Sequence, residues 1–156
     1  MLENLETLAL SLPGLESLPK GLPLQRLRRL RIGNAYLNRE NLQTLISSTG
    51  NLEEFVYREI EKAHQSTRTA LVTCQEIFEM LVPMKDTLKK VVMKVHRSER
   101  PPTASTQLVN LEELRMTPGV LCDIPRLSLD DRILDKNELL HTFQPNIRTL
   151  CLDTGF

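Results

Sequence analysis

The stretch Leu27–Asn51, LRRLRIGNAYLNRENLQTLISSTGN, contains the pattern that decides the fold. It opens with L-x-x-L-x-L, in which Leu30 and Ile32 alternate with polar residues, as a strand with one buried face requires. Asn38 can then cap a helix over Arg39–Ser48, which has apolar residues along one side. The stretch therefore predicts one repeat unit made of a strand followed by a helix.

The strand pattern recurs along the chain. When other apolar residues are allowed at the leucine positions, it occurs six times, with spacings of 22, 25, 36, 23 and 36 residues. Three spacings lie within the range of about 20–29 residues that is typical of leucine-rich repeats. Stacked parallel strands would bury their apolar faces against one another. We therefore predict a single arc of about six irregular repeats over residues 1–156. The six motifs begin at Leu5, Leu27, Leu52, Leu88, Leu111 and Ile147.

Two connections between strands carry helix signals of their own. Thr73 and Glu76 have the spacing of a capping box ahead of an apolar stretch, and Pro83 is expected to help end that helix. Asp135 and Glu138 repeat the same device later in the chain. These segments predict helices that pack on one side of the sheet and lead back to the next strand.

The other connections have different compositions. Ser11–Arg26 contains proline and glycine among spaced leucines, which favours an extended or turn-rich crossover. Glu59–Arg68 is polar and is interpreted as an insertion that lengthens one repeat. Arg97–Gln107 lacks apolar periodicity and is expected to be a surface loop.

The composition argues against several classes of function. Lys+Arg and Asp+Glu both number 20, so the chain lacks the basic excess typical of proteins that bind nucleic acid or anionic membranes. No apolar run is long enough for a transmembrane helix, and residues 1–19 lack the basic start of a signal peptide. Cys74, Cys122 and Cys151 are widely spaced, which favours reduced thiols in the cytoplasm or nucleus over a disulfide framework.

Signals for catalysis are weak throughout the sequence. None of the histidines has a second histidine or a cysteine at metal-binding spacing, and no nucleotide-binding or hydrolase motif occurs. Cys74 and His64 are the nearest approach to a nucleophile pair, but no residue is identified to orient the base. Asp130-Asp131 is interpreted as a charged helix entry or loop. We therefore expect no enzyme activity, no cofactor and no metal. The three histidines are His64, His96 and His141.

The unit Leu27–Asn51 resembles the cysteine-containing type of leucine-rich repeat that is common in F-box proteins. In that pattern, L-x-x-L-x-L is followed by a small residue, a helix start, a helix with apolar residues three apart, and the next repeat. The chain as a whole looks like the C-terminal repeat region of a fungal F-box/leucine-rich-repeat protein. The matching residues here are Ala35, Leu37, Asn38, Leu42, Leu45 and Leu52.

The resemblance implies an α/β leucine-rich-repeat solenoid, with parallel strands on the concave face and helices or irregular crossovers on the convex face. It further implies a non-catalytic protein–protein interaction module that recognises substrates in an F-box-type ubiquitin ligase. No F-box is found in this sequence, so recruitment to the ligase is not carried over. The alternative is a purely structural part of a larger solenoid with no partner of its own.

The terminal motifs lack the polar caps with which solenoids end. We therefore expect that the chain is a fragment of a longer parent with further repeats or an F-box, or that a partner covers its ends.

Stacked strands would place polar pairs side by side on the concave face. These pairs, between the first two apolar positions of each motif, alternate in charge from strand to strand. Such a ladder would set the register and neutralise each basic pair between acidic neighbours. The pairs are Glu6-Thr7, Arg28-Arg29, Glu53-Glu54, Lys89-Lys90, Glu112-Glu113 and Arg148-Thr149.

The next outward row has an apolar centre with arginines on either side. Apolar spots rimmed by arginine are typical of protein interfaces, although two valines also simply suit a strand. We predict that a protein or peptide partner, and neither nucleic acid nor membrane, binds there. The predicted partner-binding residues are Arg31, Val56, Val92 and Arg115, together with Arg29, Glu54, Lys90 and Glu113.

Overall fold

The computed structural model describes residues 4–11, 23–33, 37–59, 72–95, 103–117 and 146–152. Within these ranges the chain forms strands, two α-helices and two short 3-10 helices. The elements are β1 Thr7–Ser11, β2 Arg29–Gly33, α1 Arg39–Ser47, β3 Glu54–Arg58, α2 Cys74–Leu81, a 3-10 helix Val82–Met84, β4 Lys90–Lys94, a 3-10 helix Thr103–Gln107, β5 Glu113–Met116 and β6 Thr149–Leu152.

The fold is of the α/β class. Its strands form one sheet in which every pair of neighbours is parallel, in the order β1-β2-β3-β4-β5-β6. Each strand lies on one of the six predicted motifs, and equivalent motif positions stand opposite each other. Leu30, for example, pairs with Leu8 on one side and with Phe55 on the other. The six strands and their register, predicted from the repeat, are therefore confirmed.

The backbone hydrogen bonds between neighbouring strands begin one residue before the strands themselves. The carbonyl of Glu6 accepts hydrogen bonds from the backbone N–H groups of both Arg28 and Arg29, at 2.9 and 3.0 Å. The carbonyl of Arg28 does the same for Glu53 and Glu54, at 2.8 and 2.9 Å. This shared acceptor recurs at each later strand pair, so the turn into each strand is held to its neighbour before the sheet proper begins.

A single hydrophobic core lies on one face of the sheet. The inward residues of the strands, such as Phe55 and Val91, are fully buried together with Leu45 of α1 and Phe78 of α2. Both described α-helices therefore pack on the same face. Burial of this continuous apolar surface, which no single repeat could achieve alone, is the main source of stability.

The predicted helix starts are confirmed at α1 and α2. The side chain of Asn38 accepts a hydrogen bond from the backbone N–H of Asn41 at 2.8 Å. Thr73 and Glu76 form the reciprocal capping box, and α2 ends at Leu81, directly before the 3-10 helix that contains Pro83. The helix predicted after Asp135 lies outside the described residues.

The surface loop predicted over Arg97–Gln107 is wrong in part, and the predicted insertion Glu59–Arg68 is described only at its first residue. Glu59 is 5% exposed, and its backbone N–H donates to the carbonyl of Lys94. The end of the predicted loop Arg97–Gln107 forms a 3-10 helix that packs against α2, with Ser105 buried. The polar sequence did not reveal the burial of Glu59, because the carbonyl that accepts its backbone N–H belongs to Lys94 on the neighbouring strand. Residues 60–68 and 97–102 lie outside the described residues.

The crossover before β2 is described only from residue 23. There Leu24 is buried and forms a parallel bridge with Thr49. A Cβ atom on the next residue, Gly50, would lie 3.0 Å from the carbonyl oxygen of Gln25. The lack of a side chain at Gly50 therefore allows adjacent repeats to approach closely here.

Candidate functional site

The face of the sheet opposite the core is the candidate site, and we call it the outward face. It consists of the strand residues that alternate with the buried ones, arranged in three rows across the strands. The first row is Thr7, Arg29, Glu54, Lys90, Glu113 and Thr149; the second is Ala9, Arg31, Val56, Val92, Arg115 and Cys151; the third is Ser11, Gly33, Arg58 and Lys94.

All eight predicted partner-binding residues lie on this face. The first row brings Arg29, Glu54, Lys90 and Glu113 into direct register, and the second row does the same for the other four. The sequence pattern therefore placed these side chains correctly. That they bind a partner stays a prediction.

The apolar centre of the second row is less accessible than an interface hot spot would be. Val56 is only 9% exposed although it is not part of the hydrophobic core, and Val92 is half-buried. Arg31 and Val92 are the register partners of Val56 on the two neighbouring strands. The valines therefore contribute little open apolar surface, and the charged residues dominate what a partner would meet.

Arginines of the second row turn toward carboxylates of the first row. Arg31 contacts Oε1 of Glu54 through both Nη2 and Nε, at 2.9 and 3.1 Å. On β5, Nε of Arg115 lies 2.6 Å from Oε1 of Glu113, while Nζ of Lys90 lies 3.1 Å from the other oxygen. Both carboxylates are therefore already paired within the protein.

Glu113 shows the electrostatic effect of this arrangement. Partial burial by itself would raise the pKa of the carboxyl, but hydrogen bonds and charges from Lys90 and Arg115 together lower the pKa below its ordinary value of 4.5. Glu113 therefore stays ionised through the physiological range and holds its two cations in place.

The row of residues directly before the strands alternates in charge as predicted. Among the described members of this row, the only two that form an ion pair with each other are Arg28 and Glu53, with 3.5 Å between Nη1 and Oε1. The other members are exposed or half-exposed and do not form a continuous ladder. The row is Glu6, Arg28, Glu53, Lys89, Glu112 and Arg148.

The first row alternates in charge as the pairs predict, because Arg29, Glu54, Lys90 and Glu113 lie in register, but the outward face as a whole is not neutral. The two residues of each charged pair are not equivalent, because the first lies at the strand start and only the second lies on the face. The third row adds Arg58 and Lys94, which the pair pattern did not include. The described part of the face therefore carries six cationic side chains and two carboxylates. The cations are Arg29, Arg31, Arg58, Lys90, Lys94 and Arg115, and the carboxylates are Glu54 and Glu113.

Two asparagines that the repeat pattern did not predict connect neighbouring turns. Nδ2 of Asn110 donates to the carbonyl of Asp86 at 2.9 Å, and Nδ2 of Asn146 donates to the carbonyl of Val109 in the same way. The sequence did contain the signal, because asparagine precedes the first apolar position in four of the six motifs. The four are Asn4, Asn51, Asn110 and Asn146.

A polar cleft of about 470 Å³ lies at the strand starts, beside the outward face. Charges of both signs line it, and its cations are already engaged: Arg26 donates to Oδ1 of Asn4 at 2.7 Å, and Arg28 pairs with Glu53. The cleft therefore lacks a set of groups that converge on one ligand. Its lining residues are Glu6, Arg26, Arg28, Asn51, Glu53 and Thr87.

The remaining chemical groups of the described residues do not form a second site. Burial raises the pKa of the Cys74 thiol to about 12, so this cysteine is not an activated nucleophile. The described residues contain no group of three or more potential metal ligands. The histidines, Cys122 and Asp130-Asp131 lie outside the described part of the chain.

In the ranges that the structure describes, no helix has the length and apolar character needed to cross a membrane. The outward face presents exposed guanidinium groups, above all those of Arg29 and Arg58, together with the half-buried side chains of Lys90 and Lys94. In comparisons with known proteins, no family model, no curated protein and no solved structure matches this chain.

Proposed function

We propose that the chain is a non-catalytic protein–protein interaction module of the leucine-rich-repeat type, and that the outward face is its binding surface. The observation that carries this proposal is a parallel sheet whose hydrophobic core, among the described residues, lies on one side only. Parallel sheets in α/β proteins usually have both faces covered. Here the opposite face carries exposed charged side chains, such as Arg29 and Arg58, in a regular array.

The strand order supports a solenoid. Sequential parallel neighbours, with both described helices on the core face, are what a chain forms when each repeat turns in the same direction. The inward rows then stack along the solenoid and the outward rows form a concave surface. Rigid strands that present side chains at fixed spacing are well suited to recognising an extended partner.

Within this proposal, the resemblance to F-box/leucine-rich-repeat proteins suggests that the bound partner is a substrate of a ubiquitin ligase, in the cytoplasm or nucleus. The ligase-docking segment would have to come from elsewhere in a longer parent chain. The alternative function is a purely structural role. It is favoured by the edge strands β1 and β6, each of which has one paired neighbour among the described residues.

The test is affinity capture with quantitative mass spectrometry, comparing the unmodified chain with two matched double variants. Val92→Asp with Arg115→Glu alters the outward face. Val109→Asp with Lys85→Glu makes the same kind of changes at exposed positions in the turns, where Val109 is 41% exposed. Circular dichroism checks that both variants remain folded.

The proposal predicts a set of proteins that the unmodified chain and the turn variant retain and the face variant loses. Equal capture by all three chains would contradict a binding role for the outward face and favour the structural alternative.

A further inference from the structure

We infer that the outward face binds an acidic peptide segment, rich in aspartate or glutamate. This inference rests on the proposed function and specifies the chemical class of its partner. It derives from the distribution of charge, the pairing of the two carboxylates on the face, and the spacing of the strands.

The outward face is much more basic than the protein as a whole. The chain has equal numbers of basic and acidic residues and a formal net charge of zero. The described part of the face nevertheless carries six cations and two carboxylates, a formal excess of four positive charges. Such a local excess attracts an anionic partner and increases its rate of association.

The two carboxylates of the face are already engaged and do not pair with Arg29 or Arg58. Glu54 accepts from Arg31, and Glu113 accepts from both Lys90 and Arg115. Arg29 and Arg58 are exposed and form no ion pair within the described residues. Two guanidinium groups, each able to bind a carboxylate through two N–H donors, therefore remain open to solvent.

The third row also places two cations directly opposite each other. Arg58 of β3 is in register with Lys94 of β4, and like charges at such positions are unfavourable. Glu59, the next residue after Arg58, is buried and so presents no carboxylate to solvent. Arg58, which is exposed and forms no ion pair within the described residues, is the cation of this row that a carboxylate of a partner would pair with.

The dimensions fit a short extended peptide. The cations lie on β2 to β5, and three strand spacings correspond to about 14 Å. An extended chain covers that distance in about five residues. In the described part of the outward face no aromatic side chain is available to stack on bases, because Tyr57 points into the core. The face is therefore better suited to carboxylates on a peptide than to a single-stranded nucleic acid.

The experiment measures fluorescence anisotropy of labelled probes with the full chain at low ionic strength. The acidic probe is a peptide of about ten residues in which aspartate alternates with serine, long enough to span the face. Its matched control has asparagine in place of aspartate. A third probe, oligodeoxythymidine of similar charge, represents nucleic acid.

Two double variants with equal changes in net charge test the location. Arg29→Gln with Arg58→Gln removes the two open cations of the face. Arg39→Gln with Lys85→Gln removes two exposed cations that lie off the outward face. We expect the first variant to bind the acidic peptide about tenfold more weakly and the second to differ from the unmodified chain by less than about twofold. The asparagine peptide should not bind, and added salt should weaken binding of the acidic one.

Equal weakening by both variants, or tighter binding of oligodeoxythymidine than of the acidic peptide, would overturn the inference. A second experiment distinguishes failure of the inference from failure of the proposed function. Peptides are selected from a random library on the unmodified chain and then tested on the Val92→Asp/Arg115→Glu variant. Peptides that bind the unmodified chain but not this variant are called face-dependent. Face-dependent peptides that are acidic support both proposals. Face-dependent peptides without acidic residues overturn the inference alone, and a library without any face-dependent peptide overturns both.

Discussion

Nη2 of Arg31 lies 2.9 Å from Oε1 of Glu54, although the residue opposite Arg31 in the sheet is Val56. The arginine therefore turns from the second row of the outward face to the first. It pairs with a carboxylate on the next strand that is not its register partner. The Arg31–Glu54 pair thus follows the reach of the arginine side chain, whereas Lys90 and Glu113 pair directly in register.

A double-mutant cycle with Arg31→Ala and Glu54→Ala tests this diagonal contact. Because 55% of the Arg31 side chain is exposed, solvent screens the pair and we expect a coupling energy of only about 0.2–1 kcal/mol. Urea unfolding of the four proteins provides the measurement. The control is a second cycle with Arg29→Ala and Glu54→Ala. A coupling energy between Arg29 and Glu54 as large as that between Arg31 and Glu54 would contradict the diagonal pairing.

Glu113 makes a testable contribution to stability at low pH. Its pKa is lowered in the folded protein by Lys90 and Arg115, so its contribution is present above its ordinary pKa of 4.5 and is lost as the pH falls through the lower folded pKa. Between about pH 4.5 and about pH 3, the free energy of unfolding should therefore fall less in the Glu113→Gln variant than in the unmodified chain. The control is Glu112→Gln, which removes the same charge at the adjacent exposed residue. An equal change in the acid profile of this variant would show that the effect is not specific to the pairing of Glu113. If the free energy of unfolding fell equally steeply with pH in the Glu113→Gln variant and in the unmodified chain, the pairing of Glu113 would not contribute to stability.

The capping box of α2 can be tested at Thr73. Its hydroxyl accepts from the backbone N–H of Glu76 at 3.2 Å, and its own backbone N–H donates to the Glu76 carboxylate at 2.9 Å. Thr73→Ala should lower the free energy of unfolding by about 0.5–2 kcal/mol, as the loss of an N-cap usually does. Thr73→Ser retains the hydroxyl and should retain most of the stability. If serine were as destabilising as alanine, the hydroxyl would not be the cause.

The asparagine row between the repeats permits a comparison of matched positions. Asn110→Ala removes the hydrogen bond to the carbonyl of Asp86 and should cost about 0.5–1.5 kcal/mol of unfolding free energy. Asn51 occupies the same position in an earlier repeat but makes no side-chain hydrogen bond within the described residues, so Asn51→Ala should have a smaller effect. Thermal and urea unfolding measure both variants. Equal losses would mean that the asparagine acts through the turn conformation instead.

The two described cysteines should differ in reactivity. Cys74 is fully buried and burial raises the pKa of its thiol to about 12, whereas Cys151 is half-exposed at the edge strand β6. At mildly alkaline pH, an alkylating reagent should modify Cys151 well before Cys74 in the folded protein. Peptide mass spectrometry over time measures both rates, and denaturant should remove the difference. Equal rates without denaturant would contradict the burial of Cys74.

The local pattern of residues was sufficient to predict the strands and helix starts. L-x-x-L-x-L determines which side chains of each strand turn inward, and its repetition aligns Leu30 with Leu8 and Phe55. Asn38 and Thr73 mark helix starts because capping depends on atoms within one turn of the chain. These features were predictable because their causes are local or strictly periodic.

Only the tertiary structure decided the character of the outward face. From the sequence, each charged pair appeared equivalent, and adjacent pairs appeared to neutralise one another. In the folded chain the first residue of each pair lies at the strand start, Arg31 reaches Glu54 diagonally, and Arg58 stands opposite Lys94. The burial of Val56 and Glu59 was equally unpredictable, because it depends on side chains and backbone of neighbouring strands. Periodicity thus determined which residues share the face, whereas the three-dimensional packing decided which of their charges remain exposed.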